Sequence, residues 1–157
     1  MDDQRLTEML ARLEYPGFVY LATRTHKKNP SEFLLTALSQ RSLDARVAAA
    51  LPWVVLRFVK LDTWLVENAR KFNLQNRLGF VVTLAKRVAE SQNHPRLSDL
   101  SELEQALDES RLVKEDFLPR PPRTETEKEW LRNNRTEDAA HWNLLTRMRP
   151  EHLQHAG

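Results

Sequence analysis

The chain has 157 residues, enough for one ordinary domain with a real core, and its 24 Lys/Arg against 22 Asp/Glu give a formal net charge of +2. It has no Cys, which excludes disulfides, Cys-ligated zinc and a thiol nucleophile; only three Gly and eight Pro argue against a loop-rich or all-β protein. The charge is uneven: residues 1–90 hold 14 Lys/Arg and 9 Asp/Glu, residues 91–157 hold 10 and 13, a basic body followed by an acidic half.

Leu6, Met9, Leu10 and Leu13 follow i, i+3, i+4, i+7 and predict a helix. Tyr15-Pro16-Gly17 stops it. The stretch "FVYLATRTH", residues 18–26, is rich in aromatic and β-branched residues and fits a strand or a buried helix. With no second convincing strand to pair with, helix is the preferred reading. Asn29, Pro30 and Glu32 form a helix start, with a cap, a first-turn proline and a first-turn acid. Ser42 is expected to cap "LDARVAAALPWVVLRF", which Pro52 should kink or divide. Asp62 is expected to cap "TWLVENARKF", and Asn73 to cap "LQNRLGFVVTLAKRVAES".

Further on, Leu100, Leu103 and Leu107 mark an amphipathic helix around 97–114. "LPRPPR", residues 118–123, has three prolines in six residues and is read as a linker. Thr124 and Glu127 make a capping box for a helix over 125–134. Thr136 is expected to cap a last helix over 137–148, and the remainder to form a tail. The fold class is therefore all-α: a helical bundle or short two-unit α-solenoid over 1–92, with appended acidic C-terminal helices over 93–157.

One pattern occurs twice. When Leu43 is superposed on Leu74, Arg46 falls on Arg77, Val47 on Leu78 and Leu51 on Val82; upstream, Phe33 falls on Trp64. The match spans 33–55 against 64–86, a possible 31-residue repeat of a helical hairpin. Chance likeness of two capped amphipathic hairpins is the other reading. Asp44, Arg46 and the Ala-rich turn after them resemble HEAT-type repeats. The resemblance implies that an acid and an arginine at the start of the second helix support the stack; the second unit has Gln75 in place of the acid. More broadly, "LDARVAAALPWVVLRF", "NLQNRLGFVVTLAK" and "HWNLLTRMRPEHL" resemble segments of bacterial proteins linked to helix-turn-helix regulators and toxin–antitoxin loci. That resemblance implies a regulatory, partner-binding role. Residues 1–30 are too short for a helix-turn-helix domain of their own.

No catalytic signature is present. Gly17, Gly79 and Gly157 cannot supply a phosphate-cradling loop. His152 and His155 share helical spacing beside Glu151 but lie in the tail, where incidental histidines are the preferred reading over a metal pair. Glu102 and Glu104, and Glu125, Glu127 and Glu129, read as solvated helix faces. No catalytic, cofactor-binding or metal residues are assigned, and the chain is read as non-enzymatic.

"ARKFNLQNRLGF" has the length of a helix-turn-helix corner, and Arg70, Lys71, Lys86 and Arg87 are positioned to touch phosphate. Leu78, Phe80, Val81, Val82 and Leu84, however, mark the second helix for a core. The polar group Asn73, Gln75, Asn76 and Arg77 is read as capping plus a buried Arg on carbonyls or Asp44. Asp44, Arg46, Asn73 and Arg77 are thus the structural polar candidates. Candidate partner-binding residues are Arg57, Lys60, Arg70 and Lys71 on the basic body, and Trp130 and Trp142 in the acidic half; for the two tryptophans, clamping the C-terminal helices onto the body is the competing role. The expected partner is another protein, a toxin or a DNA-binding regulator; direct nucleic-acid binding is the alternative. No apolar run is long enough for a membrane span and the N-terminus has no leader pattern, so a cytoplasmic location is expected.

Overall fold

A computed structural model describes residues 3–13, 15, 29–59 and 62–153. The expectation for residues 18–26 lies outside them, as do Lys60, His26 and His155. The elements are α1 (Asp3–Arg12), α2 (Pro30–Leu38), α3 (Ala45–Phe58), α4 (Thr63–Lys71), α5 (Gln75–Gln92), α6 (Leu97–Asp108), β1 (Asp116–Phe117), α7 (Glu125–Asn134), α8 (Glu137–His141) and β2 (Leu144–Leu145), with a short 3-10 turn at Pro150–His152. The fold is an all-α bundle built around α5.

Helix α5 is buried nearly all round for its first three turns, from Gln75 to Ala85. Helices α3 and α6 pack along it, and α2, α4, α8 and β1 close the remaining sides. A helix apolar on most of its circumference has to be enclosed in this way. One apolar cluster joins Leu6, Phe33, Val54, Phe80 and Leu103 to Leu118, Trp142 and Leu144, so the acidic C-terminal half and the basic body share a core.

Local chemistry sets the helix starts. Asn29 Oδ1 accepts from Ser31 N at 2.9 Å, Asp62 Oδ1 from Trp64 N at 3.0 Å, Thr124 Oγ1 from Glu127 N at 3.0 Å and Thr136 Oγ1 from Ala139 N at 3.1 Å. Two expected caps move. Asp44, not Ser42, caps α3, accepting from Arg46 N at 2.8 Å and Val47 N at 3.3 Å. Asn73 caps no helix start. It has φ 57° and ends α4, in the left-handed position where Leu74 N reaches back to Ala69 O at 2.7 Å. Asn93 ends α5 in the same way, at φ 49° with His94 N on Ala89 O. Asparagine fills these positions because its short polar side chain tolerates left-handed backbone better than most.

Pro52 lies inside α3 without dividing it. The missing N–H leaves the Ala48 carbonyl short of its helical donor, a cost of about 3 kcal/mol that burial of both flanks offsets. Two predicted helices are shorter than expected. The one begun at Leu97 stops at Asp108 because the Gln75 and Asn76 side chains take the backbone groups of Ser110 and Leu112. The one begun at Glu137 stops at His141; Asn143 turns at φ 55° and Leu144–Leu145 pair in parallel with Asp116–Phe117. The Pro-rich stretch is docked rather than loose. Leu118 is buried, Leu118 N donates to Leu145 O at 3.2 Å, and Leu43 N donates to Pro119 O at 2.8 Å across a chain separation no local pattern foretells.

Candidate functional site

Helix α4 buries Leu65, Val66 and Ala69 against the bundle. Trp64, Glu67 and Lys71, at i, i+3 and i+7, therefore share the outward face. Trp64 is 45% exposed, Phe72 at the end of the helix 58%, and Phe58 at the end of α3 38%. By contrast Trp53, Phe33 and Phe80 are buried. Three large aromatic side chains within fifteen residues, at the end of α3 and at the two ends of α4, are thus left partly in water.

Cations border these rings. Lys71 Nζ lies 5.5 Å from the Phe72 ring centre, and the Arg57 guanidinium 5.4 Å from that of Trp53, which packs edge-on against Phe58. Arg70 serves another purpose. Its Nε donates to Ser110 Oγ and its Nη2 to the Ala106 carbonyl, both at 3.0 Å, so it ties α4 to α6. Of the basic residues expected to face a partner, Lys71 stands over the exposed Phe72, Arg57 over the buried Trp53, and Arg70 is a structural tie.

The two C-terminal tryptophans separate. Trp130 is exposed, with the Arg147 guanidinium stacked 4.3 Å from its ring centre. Trp142 is 1% exposed and cannot meet a partner. Its Nε1 donates to Thr83 Oγ1 at 2.9 Å, its carbonyl accepts from Asn76 Nδ2 at 2.9 Å, and its ring lies so close to Gly79 that a Cβ there would stand 2.4 Å from it. Asn76, Gly79 and Thr83 form one face of α5, and that face is the seat of Trp142.

Arg77 is the buried arginine expected from the sequence, with a different acid. Its Nε and Nη2 grip both oxygens of Asp116 at 2.8 and 2.9 Å, and Nη1 donates to the carbonyls of Leu38 (2.7 Å) and Gln40 (3.1 Å). The Phe117 ring lies 4.9 Å from the guanidinium. Asp44 is occupied in capping α3. Arg46, the counterpart of Arg77 in the sequence echo, is exposed.

A polar cleft between α5, α6 and α8 was not legible in the sequence, because its members lie 18 to 51 positions apart. Glu104 accepts from Thr83 Oγ1 at 2.5 Å and from Lys86 Nζ at 3.0 Å. Arg87 donates to Asp138 at 2.9 and 3.1 Å, which raises its already high pKa. His141 Nε2 lies 2.7 Å from Asp108 Oδ1. Lys86 and Arg87, candidates for phosphate contact, are thus each engaged with a carboxylate, and α5 is enclosed too far to enter a nucleic-acid groove. Among the described residues no group of three or more His, Asp or Glu is arranged to hold a metal ion, and no helix is long and apolar enough to cross a membrane.

The fold is an all-α helical bundle with partly exposed aromatics on α3, α4 and α7. No protein-family model, curated protein or solved structure matches the chain.

Proposed function

We propose that the chain is a non-catalytic, regulatory protein–protein interaction module, antitoxin-like or associated with a transcription regulator, and that it binds its partner through the edge formed by Phe58, Trp64, Lys71 and Phe72 with Arg57. The observation that carries this reading is the exposure of Phe58, Trp64 and Phe72, with Lys71 over the Phe72 ring and Arg57 over Trp53 next to Phe58. Aromatic anchors with basic neighbours suit an acidic amphipathic helix, whose apolar stripe covers the rings and whose carboxylates meet Arg57 and Lys71. The regulatory assignment is supported by the sequence resemblance to regulator-linked and antitoxin-linked proteins.

A photo-crosslinking residue at Glu67, between Trp64 and Lys71 on the outward face, tests it in living cells. The expected result is an adduct to an acidic amphipathic segment that is lost in the Trp64→Ala/Phe72→Ala variant at unchanged melting temperature. An adduct that persists in this variant, or one mapped to a basic segment, overturns the assignment. Titration of duplex DNA at low salt should give no shift, because Arg70, Lys86 and Arg87 are engaged inside the molecule.

A further inference from the structure

A groove of about 360 Å³ opens at the far end of α3 from Phe58. Its floor is the first turns of α3, where Ala45, Ala48 and Ala49 leave room that larger side chains would fill. Leu118, Leu131, Met148 and Leu153 add to its apolar lining. The lining is mostly apolar, and the volume lies within the range of about 300–1,000 Å³ usual for small-molecule sites.

The charges around it do not balance. Arg120 is neutralised by Glu127 at 3.1 Å. Arg147 and Arg149 also line the groove. Arg147 stacks on Trp130, and Arg149 Nη2 donates to the Asn134 carbonyl at 2.9 Å; among the described residues neither meets a carboxylate. The polar cleft between α5 and α8 differs on this point, since Lys86 and Arg87 there already hold Glu104 and Asp138. An apolar trough bordered by two arginines without acids is complementary to a molecule with an apolar body and one anionic head. At about 30 Å³ per heavy atom, taken from the share of liquid volume that one water occupies, the groove holds about a dozen.

We infer that this groove is a binding site for a small amphipathic carboxylate, its apolar chain on Ala45, Ala48 and Ala49 and its head between Arg147 and Arg149. The site is independent of the partner-binding edge, which lies at the other end of α3.

Isothermal titration of the full chain with decanoate, a probe of twelve heavy atoms used below its micelle concentration, tests the inference against 1-decanol, which lacks the charge. The expected result is saturable one-to-one binding of decanoate, at least tenfold tighter than decanol, a difference of about 1.4 kcal/mol. Arg147→Gln/Arg149→Gln should remove that tenfold preference and leave decanol unchanged. Ala49→Phe, which fills the groove, should abolish binding of both. Ala45→Leu, at the exposed rim, serves the same purpose should Ala49→Phe fail to fold, with circular dichroism and melting temperature certifying each variant. Non-saturating uptake, equal affinity for decanoate and decanol, or decanoate binding unchanged in the folded groove-filling variant overturns the inference.

Discussion

The hairpins α2–α3 and α4–α5 share a sequence pattern and occupy different environments. Phe33 is fully buried and its counterpart Trp64 is not; Arg46 faces solvent and its counterpart Arg77 is sealed against Asp116. The cause is what covers each hairpin. α5 receives α6, β1 and α8 from the acidic half, so its polar first turn must satisfy the backbone of the returning chain. The first turn of α3 borders the open groove instead. In a stacked repeat the two units would be equivalent, each touching only its neighbours. Here α5 is central and α3 lies to one side, an arrangement of a bundle rather than a solenoid.

The largest effect expected from breaking this asymmetry is at the seat on α5. Trp142→Ala removes a fully buried aromatic and leaves Thr83 and Gly79 facing a cavity, at a cost of about 3–5 kcal/mol. Chemical denaturation should show it, and trypsin should then cut after Arg123 and Arg135 and release the segments C-terminal to Arg123. In the parent chain these fragments should stay together after any nick. Trp130→Ala, at an exposed ring, should leave both stability and the cleavage pattern nearly unchanged.

The two arginines give the next contrast. Arg77→Ala strips Asp116 and the Leu38 and Gln40 carbonyls of their donor and should cost about 2–3 kcal/mol. Arg46→Ala, at an exposed side chain, should cost less than Arg77→Ala. Equal melting temperatures for the two variants would restore the repeat-like reading of the pair.

Ala48 and Gly79 occupy equivalent positions in the echo, and substitutions there sharpen the comparison at smaller scale. Ala48→Gly should cost about 1 kcal/mol through helix propensity alone. Gly79→Ala improves propensity but drives a methyl group into the Trp142 ring, and should be the more destabilising change, by about 1–3 kcal/mol, as overpacking is. A stabilised Gly79→Ala would show that Trp142 does not rest on the helix as described.

The smallest effect is a pH dependence in the C-terminal half. Hydrogen bonding from Arg132 holds the Glu115 carboxyl below its usual pKa, against some desolvation, and the charges of Arg132, Arg135 and Lys128 add to the lowering. A depressed folded-state pKa contributes stability that is fully present above the unfolded value and is lost as pH falls through the folded one. The melting temperature should therefore decline on acidification below the ordinary carboxylate range, and Glu115→Gln should make that decline shallower. Solvent screening of this partly exposed pair keeps the difference small.

Much of the fold was legible along the chain. The caps at Asn29, Asp62, Thr124 and Thr136 and the apolar stripes of α1, α5 and α6 depend on neighbours within one or two turns, and the sequence displays those neighbours. The structural role of Arg77 was legible too, since a guanidinium within an apolar run must find acceptors. The end of α6, the brief β1–β2 pairing and the docking of Leu118–Pro119 were not, because each rests on partners 27 to 76 positions away. A two-residue strand carries no periodicity to detect. For the candidate surface, Arg57 and Lys71 were identified from charge, but no local pattern sets the exposed Phe58, Trp64 and Phe72 apart from the buried Trp53 and Phe33.

The limit is physical. Periodicity, capping and proline placement act through local backbone sterics and hydrogen bonds, so the class of fold, most helix starts and the apolar inventory are properties of short segments of this chain. Which copy of a repeated pattern is enclosed, which tryptophan is exposed, which acid meets Arg77 and which arginines border a groove without a carboxylate depend on how those segments share one volume. Trp142 and Trp130 show the difference. They sit twelve positions apart in similarly charged company, and the gap that Gly79 leaves in the face of α5 admits Trp142 alone.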